Sequence, residues 1–160
     1  MKTAVLMSGG VDSSVALMRL IDQGRSDLTG YYLKIWLEDE LAFMGRCPWE
    51  EDLALVRAIC EREGVPLEVV SLQHAYHHRV VAYTLSELRA GRTPSPDVLC
   101  NRLIKFGAFM DAMPEDVERV ASGHYAQVLR NVAGGPHLLR GNDPVKDQTY
   151  FLCRMSTAQI

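Results

Sequence analysis

The sequence predicts an α/β fold: a parallel sheet with helices on both faces, followed by a short hairpin toward the C-terminus. Three observations predict it. Short apolar runs alternate with segments of helical periodicity from residue 2 to residue 122. A turn rich in Gly and Ser, residues 8–14, joins the first apolar run to the first helical segment. Two short runs near the C-terminal end are joined through Gly134-Gly135.

The elements follow in order. Residues 2–7, with Ala4-Val5-Leu6-Met7, form a first strand, and residues 12–23 a first helix that stops near Gly24. Residues 28–36 form a second strand, in which Tyr31, Tyr32, Ile35 and Trp36 favour a pleated, half-buried surface. Leu53, Val56, Ile59 and Cys60 recur at helical spacing within 48–63, and Gly64 ends that helix. A third strand spans 67–72, and a third helix spans 75–90, stopped by Gly91. Residues 98–113 read as a fourth helix, 117–122 as a fourth strand, and 127–131 with 137–140 as the hairpin. Ser156 and Gln159 have capping-box spacing. They announce a helix just where the sequence stops, so this chain is expected to be part of a longer one.

A chain of 160 residues suits one domain with a sizeable core. No apolar run has the length of a membrane span and no signal peptide precedes the first strand, so a cytoplasmic protein with no membrane partner is expected. Cys47, Cys60, Cys100 and Cys153 lie far apart and form no C-x-x-C pair, which points to reduced thiols rather than a zinc knuckle or disulfide framework. Cys60 and Cys153 fall in apolar segments and are expected in the core. The net charge of −3 excludes a protein basic throughout. The last forty residues nevertheless carry Arg130, Arg140, Lys146 and Arg154 against Asp143 and Asp147, a weak mark of a nucleic-acid face.

Residues 8–14 carry the most specific chemistry. A strand, a Gly/Ser turn and a helix N-terminus present backbone N–H groups and a favourable dipole to an anion. Gly9 and Gly10 let backbone approach a ligand, while Ser8, Ser13 and Ser14 supply hydroxyls and Asp12 can hold a metal ion or cap the helix. The pattern is neither G-x-x-x-x-G-K-[ST] nor G-x-G-x-x-G. In a parallel sheet, this loop and Gly123-His124 both fall at the carboxyl ends of strands, within reach of one nucleotide.

Four further segments bear on function. Gly91-Arg92-Thr93-Pro94-Ser95-Pro96-Asp97 is stiffened by its prolines and leads to Cys100 near a helix start. There the helix dipole with Arg102 and Lys105 is expected to favour the thiolate; a buried structural cysteine, and Asp97 as a simple helix cap, are the alternatives. Cys100-Asn101-Arg102-Leu103-Ile104-Lys105-Phe106, Gly123-His124-Tyr125-Ala126, and Asp143 with Lys146-Asp147-Gln148-Thr149-Tyr150-Phe151-Leu152 complete the set. His74 and His78 share a helical face, but no carboxylate or cysteine stands beside them at ligand spacing, so they read as solvated surface.

Residues 8–14 resemble the SGG-x-D-S pyrophosphate loop of the N-type ATP pyrophosphatases. With the four other segments in this order, the chain from residue 2 to residue 160 resembles the tRNA-specific 2-thiouridylase family, and 47–52 resembles a variant found in some of its branches. The resemblance implies a Rossmann-like sheet of the adenine nucleotide alpha hydrolase kind. It implies that residues 1–160 are the N-terminal ATP pyrophosphatase catalytic domain, without the family's central and C-terminal tRNA-binding domains. It implies ATP held by Ser8, Gly9, Gly10, Val11, Asp12, Ser13, Ser14, Leu33 and Gly123, with Mg2+ near Asp12. Leu33 stands where the family usually has Met, and Ser95 where it commonly has Asn.

By the same resemblance Cys100 is the nucleophile that carries a persulfide, and Asp97 an acid/base at the target base beside Ser95 and Pro96. Ser95, Pro96, Asp97, Lys146, Asp147 and Gln148 contact tRNA, and a persulfide donor, a cysteine desulfurase or a relay protein, is a partner. The family's second catalytic cysteine, which forms a disulfide with the first, is expected beyond residue 160 and is not assigned to Cys47, Cys60 or Cys153. The implied reaction adenylates the C2 oxygen of the wobble uridine and replaces it with sulfur. Two other readings fit part of the pattern. One is an ATP pyrophosphatase acting on another acceptor, for which Cys100 would have no use; the other is a non-catalytic nucleotide-binding module.

Overall fold

The computed structural model describes residues 1–35, 48–130 and 133–160. They form two compact units, Met1–Gln73 with Ala112–Gly123, and His74–Asp111 with His124–Ile160.

The first unit is the predicted parallel sheet. Its strands β1 (Lys2–Met7), β2 (Leu28–Lys34), β3 (Leu67–Ser71) and β4 (Val117–Ala121) lie in the order β3-β2-β1-β4, all parallel. Helix α1 (Val11–Asp22) links β1 to β2, and α2 (Pro48–Arg62) precedes β3. Ser13, Leu17, Leu20 and Ile21 recur at i, i+4, i+7 and i+8, so one stripe of α1 is apolar or buried. Leu17 packs with Leu53, Val56 and Cys60 of α2 on Val5, Met7, Leu28 and Tyr32 of the sheet. Each fully buried aliphatic side chain there stabilises the fold by about 1.5–3 kcal/mol. Ala4 and Leu6, which point to the opposite face, are buried as well. Burial on both faces explains why β1 is an unbroken apolar run rather than an alternating one. The chain turns back on itself beyond β1, since β2 and β4 flank it on either side. That is the switch point at which such sheets bind ligands.

The second unit contains two helical runs and the hairpin. The first run is α3 (Gln73–Tyr76), a π-helical stretch His77–Val81, and α4 (Ala82–Arg89). The second is α5 (Pro96–Cys100), a π-helical stretch Asn101–Ala108, and α6 (Phe109–Ala112). Both begin two residues before the predicted helices, because Gln73 and Pro96 already occupy first-turn positions. Strands β5 (Ala126–Leu129) and β6 (His137–Arg140) pair antiparallel as predicted, and single 3-10 turns follow at Thr149–Leu152 and Thr157–Gln159. The predicted capping box of Ser156 and Gln159 is present, with Gln159 Oε1 accepting the Ser156 N–H at 3.0 Å. Cys60 lies in the core, but Cys153 is exposed, against expectation. Leu152 takes the buried position at the end of the 3-10 turn and leaves its neighbour outward. Trp36, Cys47 and Asn131 lie outside the described residues.

Candidate active site

Ser13 organises the loop between β1 and α1. Its Oγ donates to the Gly10 carbonyl at 2.9 Å and accepts from the Ser8 N–H and the Ser8 hydroxyl, each at 3.2 Å. The Gly10 N–H reaches back to Ser8 Oγ at 3.4 Å, and Ser14 Oγ donates to the Gly10 carbonyl at 3.0 Å. The serines therefore fold the loop onto itself, while α1 opens with the N–H groups of its first turn, which have no carbonyls behind them. No side chain caps this N-terminus: Gly10 stands at the cap position. Asp12 lies in the first turn, as an anion or a metal ligand at a positive helix end should.

Two glycines keep this corner tight. Gly9 has φ +78° and sits against α2, where an added Cβ would meet the Asp52 Cα and carbonyl oxygen at 3.0 Å. Gly123, just beyond β4, would place a Cβ 2.6 Å from the Asp12 carbonyl and 2.8 Å from the Ser13 nitrogen. Gly123 is thus pressed onto the backbone of the same helix turn that carries the loop, and only a residue without a side chain fits there. Met7 pairs with Tyr32, so Leu33 and Ser8 stand level at the carboxyl edge of the sheet. The structure therefore gathers Ser8 to Ser14, Leu33 and Gly123 in one place.

Sequence reasoning missed the first turn of α2. Tyr32 Oη donates to the Trp49 carbonyl at 3.3 Å, and Lys34 Nζ lies 4.0 Å from the Trp49 ring centre. Burial, with the Asp52 carboxylate nearby, pushes the Tyr32 hydroxyl up. The signal was there in Trp49-Glu50-Glu51-Asp52, but helical periodicity marks only which face is buried, not which end meets the loop.

In the second unit, Ser95 stands at the N-cap of α5 and Asp97 is exposed in its first turn, so Asp97 is not the helix cap. Cys100 is half-buried at the end of α5. Burial pushes its thiol up, Lys105 pulls it down, and Asp97 pushes it up again. This differs from the expected easy thiolate: desolvation outweighs the cations in this arrangement. Arg92 clasps Glu87 with two bonds of 2.7 Å, tying the Gly91–Pro94 stretch to α4 and holding the Glu87 carboxyl below its usual range. His124 packs near Phe106, ring centres 6.2 Å apart; burial, then the Lys105 charge, lowers its imidazole to about 4.

Lys146, Asp147 and Gln148 come together with Tyr125. Gln148 accepts the Tyr125 N–H on its side chain and donates its own N–H to the Tyr125 carbonyl, both at 3.0 Å. Lys146 Nζ lies 4.1 Å from the Tyr125 ring centre. Asp147 accepts from the Thr149 hydroxyl at 2.6 Å, the Thr149 N–H at 3.0 Å and Arg140 Nε at 2.9 Å, which lowers its carboxyl to about 2. The Thr149–Leu152 turn packs on α5, and Asn101 Nδ2 donates to the Phe151 carbonyl at 3.3 Å. The polar segment is therefore tied to the helix of Cys100. His74 and His78 stack at 6.3 Å, and among the described residues no three His, Cys, Asp or Glu side chains could hold a metal ion together. No helix among them is long and apolar enough to cross a membrane.

The family described as the tRNA methyl transferase HUP domain matches residues 1–160. Curated relatives include a protein named tRNA-specific 2-thiouridylase MnmA of Akkermansia muciniphila, 46% identical over 96% of this chain and 43% of its own. Proteins of the same name are similar at 47% identity in Porphyromonas gingivalis, over 100% of this chain and 44% of theirs, and at 48% in Streptococcus mutans, over 99% and 42%. The chain spans less than half the length of these relatives.

Proposed function

The chain belongs to the tRNA methyl transferase HUP-domain family, and from that membership we propose that it is the nucleotide-binding part of a tRNA-specific 2-thiouridylase. The observation that carries this reading is the loop folded around Ser13, with Gly123 pressed onto the same helix turn. Such a loop before a helix N-terminus is suited to an anion, and in this reading it takes the phosphates of ATP while an acceptor oxygen is adenylated. Methyl transfer would have no use for it.

Residues 8–14 hold the phosphates, and Leu33 and Gly123 flank the nucleoside. The Asp12 carboxylate beside them would hold a magnesium ion, which when bound would supply positive charge against the phosphates. The uracil C2 oxygen attacks the α-phosphorus, pyrophosphate departs, and the oxygen is left as part of AMP, a good leaving group. The terminal sulfur of a persulfide on Cys100 then attacks C2 and AMP leaves. A second cysteine of the longer protein attacks the inner sulfur, so that transfer ends in a disulfide between the two cysteines. Asp97, exposed beside Ser95 and Pro96, moves the proton at the target base, which must be flipped out of its stack to be reached. Lys146, Asp147 and Gln148 form the tRNA contact, a persulfide donor loads Cys100, and the work is cytoplasmic.

The test uses the full-length protein, wild type and Cys100→Ser, with ATP, magnesium, a persulfide donor and bulk tRNA. Mass spectrometry of the digested RNA should show 2-thiouridine with the wild type and none with the variant. ATP cleaved to AMP without thiolation by the wild type would move the reading to another acceptor.

A further inference from the structure

The stretch Asn101–Ala108 that follows Cys100 is π-helical: the Phe109 N–H bonds the Ile104 carbonyl, five residues back, and Phe106 leaves the helical region with φ −115° and ψ 18°. A helical turn closed to the fifth residue is a local expansion that recurs at functional sites. Here it changes which side chain lies over Cys100. On an α-helix of 3.6 residues per turn, position 105 would stand about 140° around the axis from position 100. A turn widened by one residue brings it back over Cys100. Ile104 is then fully buried while Lys105 is half-buried, and the Lys105 charge pulls the Cys100 thiol down against the push of burial. Arg102, the other cation nearby, lines a separate cavity of about 440 Å³ with Arg79, Met110 and Gln159.

We propose that this π-helical register makes Lys105 the counter-charge of a sulfur anion on Cys100, and that Lys105 is thereby a positioning residue for sulfur delivery. The proposal rests on the reading of Cys100 as the sulfur carrier. The charged groups acting on the thiol are Lys105, which lowers it, and Asp97 from its own helix, which raises it; Tyr76 of α3 in turn feels Cys100 and Asp97. The His77–Val81 stretch packed on α5 adds His77, His78 and Arg79, whose guanidinium donates to the Leu103 carbonyl at 3.3 Å; the Thr149–Leu152 turn adds only Tyr150 as an ionisable group. His124 faces Lys105 but is kept neutral by burial, so it does not compete as a cation. A thiol or persulfide that ionises here gives its proton to solvent, and the anion left behind is balanced by the Lys105 charge.

The test is the pH dependence of Cys100 alkylation by iodoacetamide, followed by peptide mass spectrometry on the 160-residue chain, with exposed Cys153 as the control in the same molecule. Only the thiolate reacts. Lys105→Met should raise the midpoint for Cys100 by about one pH unit, the effect of losing one adjacent opposite charge. Lys105→Arg should restore it, Arg102→Met should leave it in place, and Cys153 should not respond. Lys105→Gln, with a melting curve for each variant, guards against a fold lost in the Met variant. A midpoint unmoved in both neutral variants, or moved as far by Arg102→Met, would overturn the proposal. The expected shift in a full-length protein that makes no thiouridine would uphold Lys105 and remove Cys100 as sulfur carrier.

Discussion

Gly123 stands so close to Asp12 that a methyl group at 123 would lie 2.6 Å from the Asp12 carbonyl. The end of β4 and the first turn of α1 are therefore one packed unit. Gly123→Ala must push one of them away, at a cost of about 1–3 kcal/mol. The expected result is a folded protein with lowered urea stability and ATP affinity reduced at least about tenfold, the equivalent of 1.4 kcal/mol. Nucleotide titration of the two proteins checks this; equal affinity would separate Gly123 from the nucleotide site.

The serines of the loop should rank by their bonds. Ser13 is buried and joins three groups, whereas Ser14 makes one side-chain bond on the surface. Ser13→Ala leaves the loop without its hub and should cost about 1–3 kcal/mol, Ser14→Ala about 0.5–1.5 kcal/mol. Urea unfolding gives both values, and the order reversed would mean that the loop is held by something other than Ser13.

His124 makes stability depend on pH in a stated direction. Its imidazole is lowered from 6.5 to about 4, so the folded protein favours the neutral ring. The stability this provides is complete above pH 6.5 and is lost as pH falls from there to about 4. The full effect is about 3 kcal/mol at most. His124→Asn should flatten the slope of unfolding free energy between pH 7 and pH 5, measured in urea against the wild type.

Lys146 and Gln148, neighbours but one, should fail in different ways. Gln148 holds Tyr125 by two bonds, so Gln148→Ala should lower the melting temperature, losing about 1 kcal/mol. Lys146 offers its charge at the surface, so Lys146→Ala in the full-length protein should weaken tRNA binding and reduce its salt slope by about one, with the melt little changed. Filter binding over a salt series distinguishes the two.

The first unit was legible because its physics is local. β1, buried on both faces, is a plain apolar run, and Leu53, Val56 and Cys60 show their helix by spacing alone. The loop was legible because strand, turn and helix start adjoin in sequence. What could not be read came from contacts at long range or from departures in helical register. Asp147 and Gln148 carry internal bonds to Arg140 and Tyr125 that composition does not display. Cys100 was expected as a thiolate near a helix start, yet desolvation governs its thiol, and the widened turn that follows it is a departure that 3.6-residue periodicity cannot reveal.

Gln159 donates its side-chain amide to the carbonyls of Arg102, at 3.0 Å and 57 residues away, and of Phe106. Those oxygens belong to the stretch that displays Lys105. A ribosome building the chain at roughly 5–20 residues per second reaches Gln159 several seconds after Arg102. The helix that carries Cys100 is thus finished late: during synthesis the turn beyond it emerges first and receives its clasp only when the chain's own later residues arrive.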